Sequence, residues 1–117
     1  MPYMPSEKDS AILREMLHHV ELAKKFGHGR SVQDIREDAM PLYAIVRCLE
    51  IISEASRRLS EEIKLRHGQI PWAEMAAAGN FYRHKYENVL PERVWKTLQE
   101  DLPVLRTAIE QELASGE

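Results

Sequence analysis

The stretch DAMPLYAIVRCLEIISEASRRL, residues 38–59, decides the fold. Its apolar positions Leu42, Ile45, Val46, Leu49, Ile52 and Leu59 recur at intervals of three and four, with a full turn skipped before Leu59, which is the period of one helix face. Asp38 stands where an N-cap is wanted. Pro41 falls in the first turn, where a missing N–H breaks no helical hydrogen bond. A buried stripe of this length needs other helices to cover it.

The rest of the chain supplies them. Residues 6–26 read as a first helix with Leu13, Met16, Leu17 and Val20 on its apolar face. Ser6 is its N-cap, Asp9 completes a capping box with a shortened acid, and Gly27 and Gly29 end it. Residues 31–37 form a short helical turn capped by Ser31, and Ser60-Glu61-Glu62 caps another that stops at Gly68. Pro71 opens a helix reaching about residue 86, whose alanine-rich start allows close approach and predicts a central place. Gly79 inside that helix costs about 1 kcal/mol against alanine, so a packing or functional reason is expected. Residues 91–113 form the last helix, striped by Val94, Leu98, Leu102, Leu105, Ile109 and Leu113 with Trp95 beside them. Pro103 should bend or divide it. No strand alternation, repeat or low-complexity segment interrupts this pattern. The reading is one all-α domain over residues 1–117, a bundle of four or five helices with residues 38–59 and 91–113 packed antiparallel.

Composition limits the function. The 117 residues are 44% hydrophobic and 30% charged, ordinary for a globular domain. Cys48 is the single cysteine, so no intrachain disulfide forms. No apolar run approaches the roughly 20 residues of a membrane span, and the first residues lack the apolar core of a signal peptide. The expected location is the cytoplasm, without membrane contact. The net charge of −3 gives no global attraction for nucleic acid, so any such contact comes from a local cluster or a site shared between subunits.

The densest polar cluster is Asn80-Phe81-Tyr82-Arg83-His84-Lys85-Tyr86. On a helix Asn80 and His84 share a face, as do Tyr82 and Tyr86. Histidine moves protons near neutral pH and arginine holds a phosphate in a planar fork. Together they suit phosphodiester cleavage without a metal: His takes the ribose 2′-hydroxyl proton or donates one to the leaving oxygen, and Arg stabilises the developing charge. From residue types alone, a solvated helix face with aromatic anchors explains the run more simply. His18, His19, His28 and His67 read as surface residues. No histidine pair has metal-ligand spacing, Cys48 has no partner and no glycine-rich phosphate loop is present, so neither metal nor cofactor is expected. Glu54 lies at the edge of the apolar stripe, within possible reach of Arg83.

Three blocks carry a resemblance. They are Leu49-Glu50-Ile51-Ile52-Ser53-Glu54-Ala55, Ile70-Pro71-Trp72, and Val94-Trp95 with Gln99-Glu100-Asp101-Leu102-Pro103. In this order and spacing the chain resembles the HepT-like toxins of the HEPN superfamily over roughly residues 38–113. The first block differs by carrying Ser53 where the family has glycine. The resemblance implies a dimeric HEPN bundle with its cleft where two copies of one helix meet. It also implies a metal-independent ribonuclease toxin, and a partner of the MntA type: a minimal nucleotidyltransferase antitoxin that adenylylates the motif tyrosine. The family motif is Arg, four residues, His, one residue, Tyr. His84 matches its histidine as catalytic acid/base, Tyr86 its tyrosine as the adenylylation candidate, and Asn80 the asparagine that often follows the arginine. The arginine position holds Gly79, and Arg83 is the replacement guanidinium. The alternative is a non-catalytic HEPN module that binds the nucleotidyltransferase or a nucleotide and cuts nothing.

Overall fold

The structure, a computed structural model, describes residues 5–84 and 89–115. The elements are α1 (Glu7–Gly27), α2 (Val32–Glu37), α3 (Ala39–Arg57), α4 (Glu61–Arg66), α5 (Trp72–His84), α6 (Pro91–Lys96), a π-helical turn (Thr97–Asp101) and α7 (Leu102–Ser115). Among the described residues there is no strand, and no helix is long and apolar enough to cross a membrane. The all-α bundle expected from periodicity is what forms. α1, α3, α5 and the rod made of α6, the π turn and α7 are its walls; α2 and α4 are connectors.

The core is one contiguous cluster in which Leu13, Met16 and Val20 of α1 join Ile45, Leu49 and Ile52 of α3, and Val94, Leu105 and Ile109 of the rod. The expected antiparallel pairing of α3 with the last helix is not the main contact. α3 packs chiefly on α1 and α5, and meets the rod through α6. The reason is that α3 presents two apolar edges, and a cavity lined by Leu49, Ile52, Leu102 and Leu105 separates its middle from α7. The alanine-rich helix is likewise not central. α5 lies at the side of the bundle, with Ala73 and Ala77 exposed.

The helix ends are set by local chemistry. Ser6 Oγ accepts the Asp9 N–H at 3.0 Å, but the Asp9 carboxylate does not close a capping box. It is buried and accepts the Ser60 N–H at 3.1 Å instead, tying the start of α1 to the entry of α4. Ser31 and Asp34 do form the reciprocal box at the start of α2. Gly29 takes φ 73° after α1, a left-handed conformation that favours glycine. The Trp72 indole N–H is shared between the carbonyls of Lys64 and His67, at 3.2 and 3.1 Å. It thereby satisfies orphan acceptors at the end of α4 and fixes where α5 begins.

Pro103 divides the last helix as expected, through a π turn. Its ring lacks an N–H and crowds the carbonyl four residues earlier. In the turn just before it the Leu102 N–H reaches back five residues to the Thr97 carbonyl.

His67 is a correction to the sequence reading. It is buried, with Nε2 2.7 Å from Glu112 Oε1. Arg66 grips both oxygens of the same carboxylate, Nε and Nη2 donating at 2.8 and 2.9 Å. Glu112 faces inward although it sits beside the apolar stripe, because these partners satisfy its charge. Burial alone raises this carboxyl, but the hydrogen bonds from Arg66 and His67 outweigh burial and hold it below its ordinary value of 4.5. A carboxyl lowered by folding adds stability above its ordinary value and loses it as pH falls through the folded value. Glu112→Ala is therefore expected to cost about 3 kcal/mol near neutral pH. The gap from wild type should narrow as pH drops below the carboxylate range, read from thermal unfolding at both ends. An equal gap at both would show that the carboxylate charge is not the tie.

Candidate functional site

α5 is held by its main chain. The Gly79 N–H donates to Ser53 Oγ of α3 at 3.0 Å, and the Ser53 hydroxyl donates to the Ala76 carbonyl at 3.1 Å. Arg57, one turn further along α3, donates to the same carbonyl through Nε and Nη2 at 3.2 and 2.7 Å. A Cβ placed on Gly79 would stand 2.5 Å from Ser53 Oγ and 2.8 Å from Ser53 Cβ. This supplies the packing reason for a glycine inside the helix: the Ser53 side chain already fills the space that a Cβ at position 79 would take. Ser53 and Arg57 were missed as contributors to the site. The signal for them was the i, i+4 spacing on one face of α3, opposite a glycine that a helix interior does not favour.

Beyond this contact α5 is open. Asn80, Arg83 and His84 are all exposed. Asn80 and His84 continue the stripe begun by Ala73 and Ala77, so one solvent-facing side of the helix carries small residues followed by an amide and an imidazole. Arg83 stands one turn after Gly79 on the same side of the helix. Helical side chains lean toward the N-terminus, so the Arg83 stem starts back toward the turn that holds Gly79. Glu54 is exposed, and among the ion pairs of the described residues it does not pair with Arg83. Lys85 and Tyr86 lie outside the described residues.

Phe81 is 47% exposed and its ring meets Tyr82 edge-on at 6.1 Å. Tyr82 turns inward toward the rod. Its burial raises the phenol above its ordinary value, partly offset by a hydrogen bond with Thr97 and by the nearby Arg93. The remaining histidines stand apart from this cluster: His18 and His28 are exposed, and His19 Nδ1 lies 2.8 Å from the Glu15 carbonyl oxygen in its own helix. Cys48 is buried, which raises its thiol and makes it a core residue. Among the described residues no group of three or more His, Cys, Asp and Glu is placed to hold a metal ion.

The class defined is a small all-α bundle with an exposed Asn, Arg and His at the end of one helix. Comparison with known proteins makes this specific. Residues 16–112 match the Ribonuclease HepT-like family, and the chain belongs to it. "Probable ribonuclease HepT" of Thermococcus cleftensis is 35% identical over 106 residues, covering 91% of this chain and 94% of that protein. "Putative RNase MJ1380" of Methanocaldococcus jannaschii is 30% identical over 106 residues, covering 90% and 97%. "Putative RNase TTE0752" of Caldanaerobacter subterraneus subsp. tengcongensis is 31% identical over 99 residues, covering 85% and 88%. No solved structure matches the chain.

The contact between Ser53 and Gly79 has a direct test. Gly79→Ala gains about 1 kcal/mol of helix propensity, yet overpacking costs about 1–3 kcal/mol. Net destabilisation is expected in chemical denaturation. In a Ser53→Gly background the same change should be neutral or stabilising, and this coupling is what a double-mutant cycle reads. Equal effects in both backgrounds would mean the helices do not meet there.

Proposed function

We propose that this chain is a ribonuclease that cleaves RNA without a metal ion, as a homodimer, and serves as the toxin of a two-component module. The observation that carries this reading is the exposed Asn80, Arg83 and His84 at the end of α5, continuing a stripe of exposed alanines. Membership of a family whose named relatives include ribonucleases supports it.

Small residues at positions 73 and 77 let a second copy of α5 approach closely about a two-fold axis. Such an axis brings two His84 and two Arg83 side chains into one cleft. One imidazole then removes the 2′-hydroxyl proton, the oxygen attacks phosphorus, and the bond to the 5′-oxygen breaks. The second imidazole, protonated, gives its proton to that leaving oxygen. The products are a 2′,3′-cyclic phosphate end and a 5′-hydroxyl end. Arg83 neutralises charge on the phosphoryl oxygens. In this reading Arg83, one turn after Gly79 along α5, stands in for the family's arginine.

The partner in this reading is a minimal nucleotidyltransferase antitoxin. It transfers AMP from ATP to the Tyr86 hydroxyl with release of pyrophosphate, and the added bulk and negative charge oppose RNA binding.

Incubation of the purified chain with total RNA in the presence of a chelator tests the activity. Cleavage is expected, with His84→Ala and Arg83→Ala each lowering it on the order of 10²–10³-fold. Both variants should stay folded, since exposed helix substitutions change stability by about 0.5 kcal/mol or less. Light scattering should report a dimer, and mass spectrometry after co-expression with the nucleotidyltransferase should find the AMP on Tyr86. Gly79 in the arginine position and the acidic balance favour the rival reading, a non-catalytic interaction module. Intact RNA beside a folded dimer would establish that reading instead.

A further inference from the structure

Between α5 and the C-terminal rod lies a cavity of about 320 Å³, floored by Ile52 of α3 and Leu105 of α7. Tyr82, Arg93, Thr97 and Asp101 stand around it. A second hollow of about 440 Å³ shares Tyr82 and Arg93 with it and runs out past Phe81. Phe81 is three residues before His84, on the neighbouring face of α5. The two hollows, sharing the wall of Tyr82 and Arg93, are read together as one cleft with Phe81 at its outer end and the rod at its inner one.

We propose that this cleft is a base-binding subsite that accepts guanine from the strand whose phosphate lies at His84. The link to cleavage rests on the ribonuclease reading above; the guanine site itself does not.

Three features define the ligand. The first is size: the inner cavity is at the small end of ligand sites, enough for one base and not for a longer segment. Its apolar floor and the rings of Tyr82 and Phe81 suit a flat aromatic group.

The second feature is the set of polar groups. Arg93, Thr97 and Asp101 follow one another at four-residue spacing, and the π turn directs Thr97 and Asp101 toward the cavity. Arg93 and Asp101 are exposed, and among the described residues they form no ion pair with each other. Arg93 offers two parallel donors and Asp101 two acceptors. Guanine is the base with two acceptors, O6 and N7, on one edge and two donors, N1–H and N2–H, on the next. Adenine and the pyrimidines lack this pairing of a two-acceptor edge with a two-donor edge beside it.

The third feature is charge. Glu74 and Asp101 both line the cavity, so a phosphate is repelled from it while an uncharged base enters. The strand's backbone then stays outside, on the Arg83 side. The half-buried Tyr82 adds a phenol hydroxyl to the same wall as Thr97.

The test is titration of the full-length protein with GMP, AMP, CMP and UMP by calorimetry, together with end-mapping of cleavage on a defined single-stranded RNA. GMP is expected to bind tightest, by on the order of tenfold, and Arg93→Ala and Asp101→Asn should each remove that preference. Wild-type cuts should fall beside guanines, and Asp101→Asn should cut without that bias while His84→Ala cuts nothing. Equal binding of the four nucleotides, a preference for another base, or a GMP preference that survives both substitutions would overturn the assignment. GMP bound in the cleft with RNA left intact would sink the ribonuclease reading and leave the base site standing. Cleavage without base preference and without GMP binding would do the reverse.

Discussion

At Ser53 and Gly79 the helices α3 and α5 meet with only the small Ser53 side chain between them. Everything that makes the end of α5 available follows from that approach. The Ser53 hydroxyl and the Arg57 fork bond to the main chain of α5, so the helix is positioned without spending its own side chains. Ala73, Ala77, Asn80 and His84 are then left facing solvent. A side chain at position 79 would push α5 outward and tilt this stripe away from the bundle. Glycine here serves geometry. In the proposed catalyst Arg83 carries the charge that the family places at this position.

The second fixed end is the start of α5. Trp72 shares its indole hydrogen between two carbonyls at the end of α4, and α4 is itself tied to α7 by Arg66 and His67 on Glu112. The C-terminal rod is thus tied through Glu112 to the end of α4, next to where α5 begins, while its apolar side joins the common core. That arrangement leaves the gap between α5 and the rod unfilled. The π turn forced by Pro103 borders the same gap and presents Thr97 and Asp101 to it.

The helices were legible because the apolar spacing and the caps agree: Ser31, Asp38 and Ser60 each cap the helix assigned to them. Pro103 dividing the last helix was legible for the same reason, since the ring allows few outcomes. Helix partners were less so. A stripe says which face is buried but not against what, and α3 has apolar residues enough to serve two neighbours. His67 was misjudged because it is polar in isolation, and its burial depends on a contact with Glu112 forty-five residues away. The cost of Gly79 was legible, but its cause needed the position of Ser53. Tyr86, the residue on which the regulatory reading depends, lies outside the described residues, so that part rests on the motif spacing alone.

Net charge frames how such a domain would meet RNA. At −3 the chain cannot hold a polyanion by a broad basic surface, so phosphate contacts must be few and local. Arg83, exposed on α5, and Arg57 of α3, bonded to the α5 main chain, are guanidinium groups on or beside this helix. A two-fold axis along the alanine stripe would double them without adding charge elsewhere. Few phosphate contacts also mean little sequence-independent affinity. A strand retained long enough to react would then need binding energy from its bases, and flat apolar surface next to His84 is found at Phe81 and in the cleft behind it.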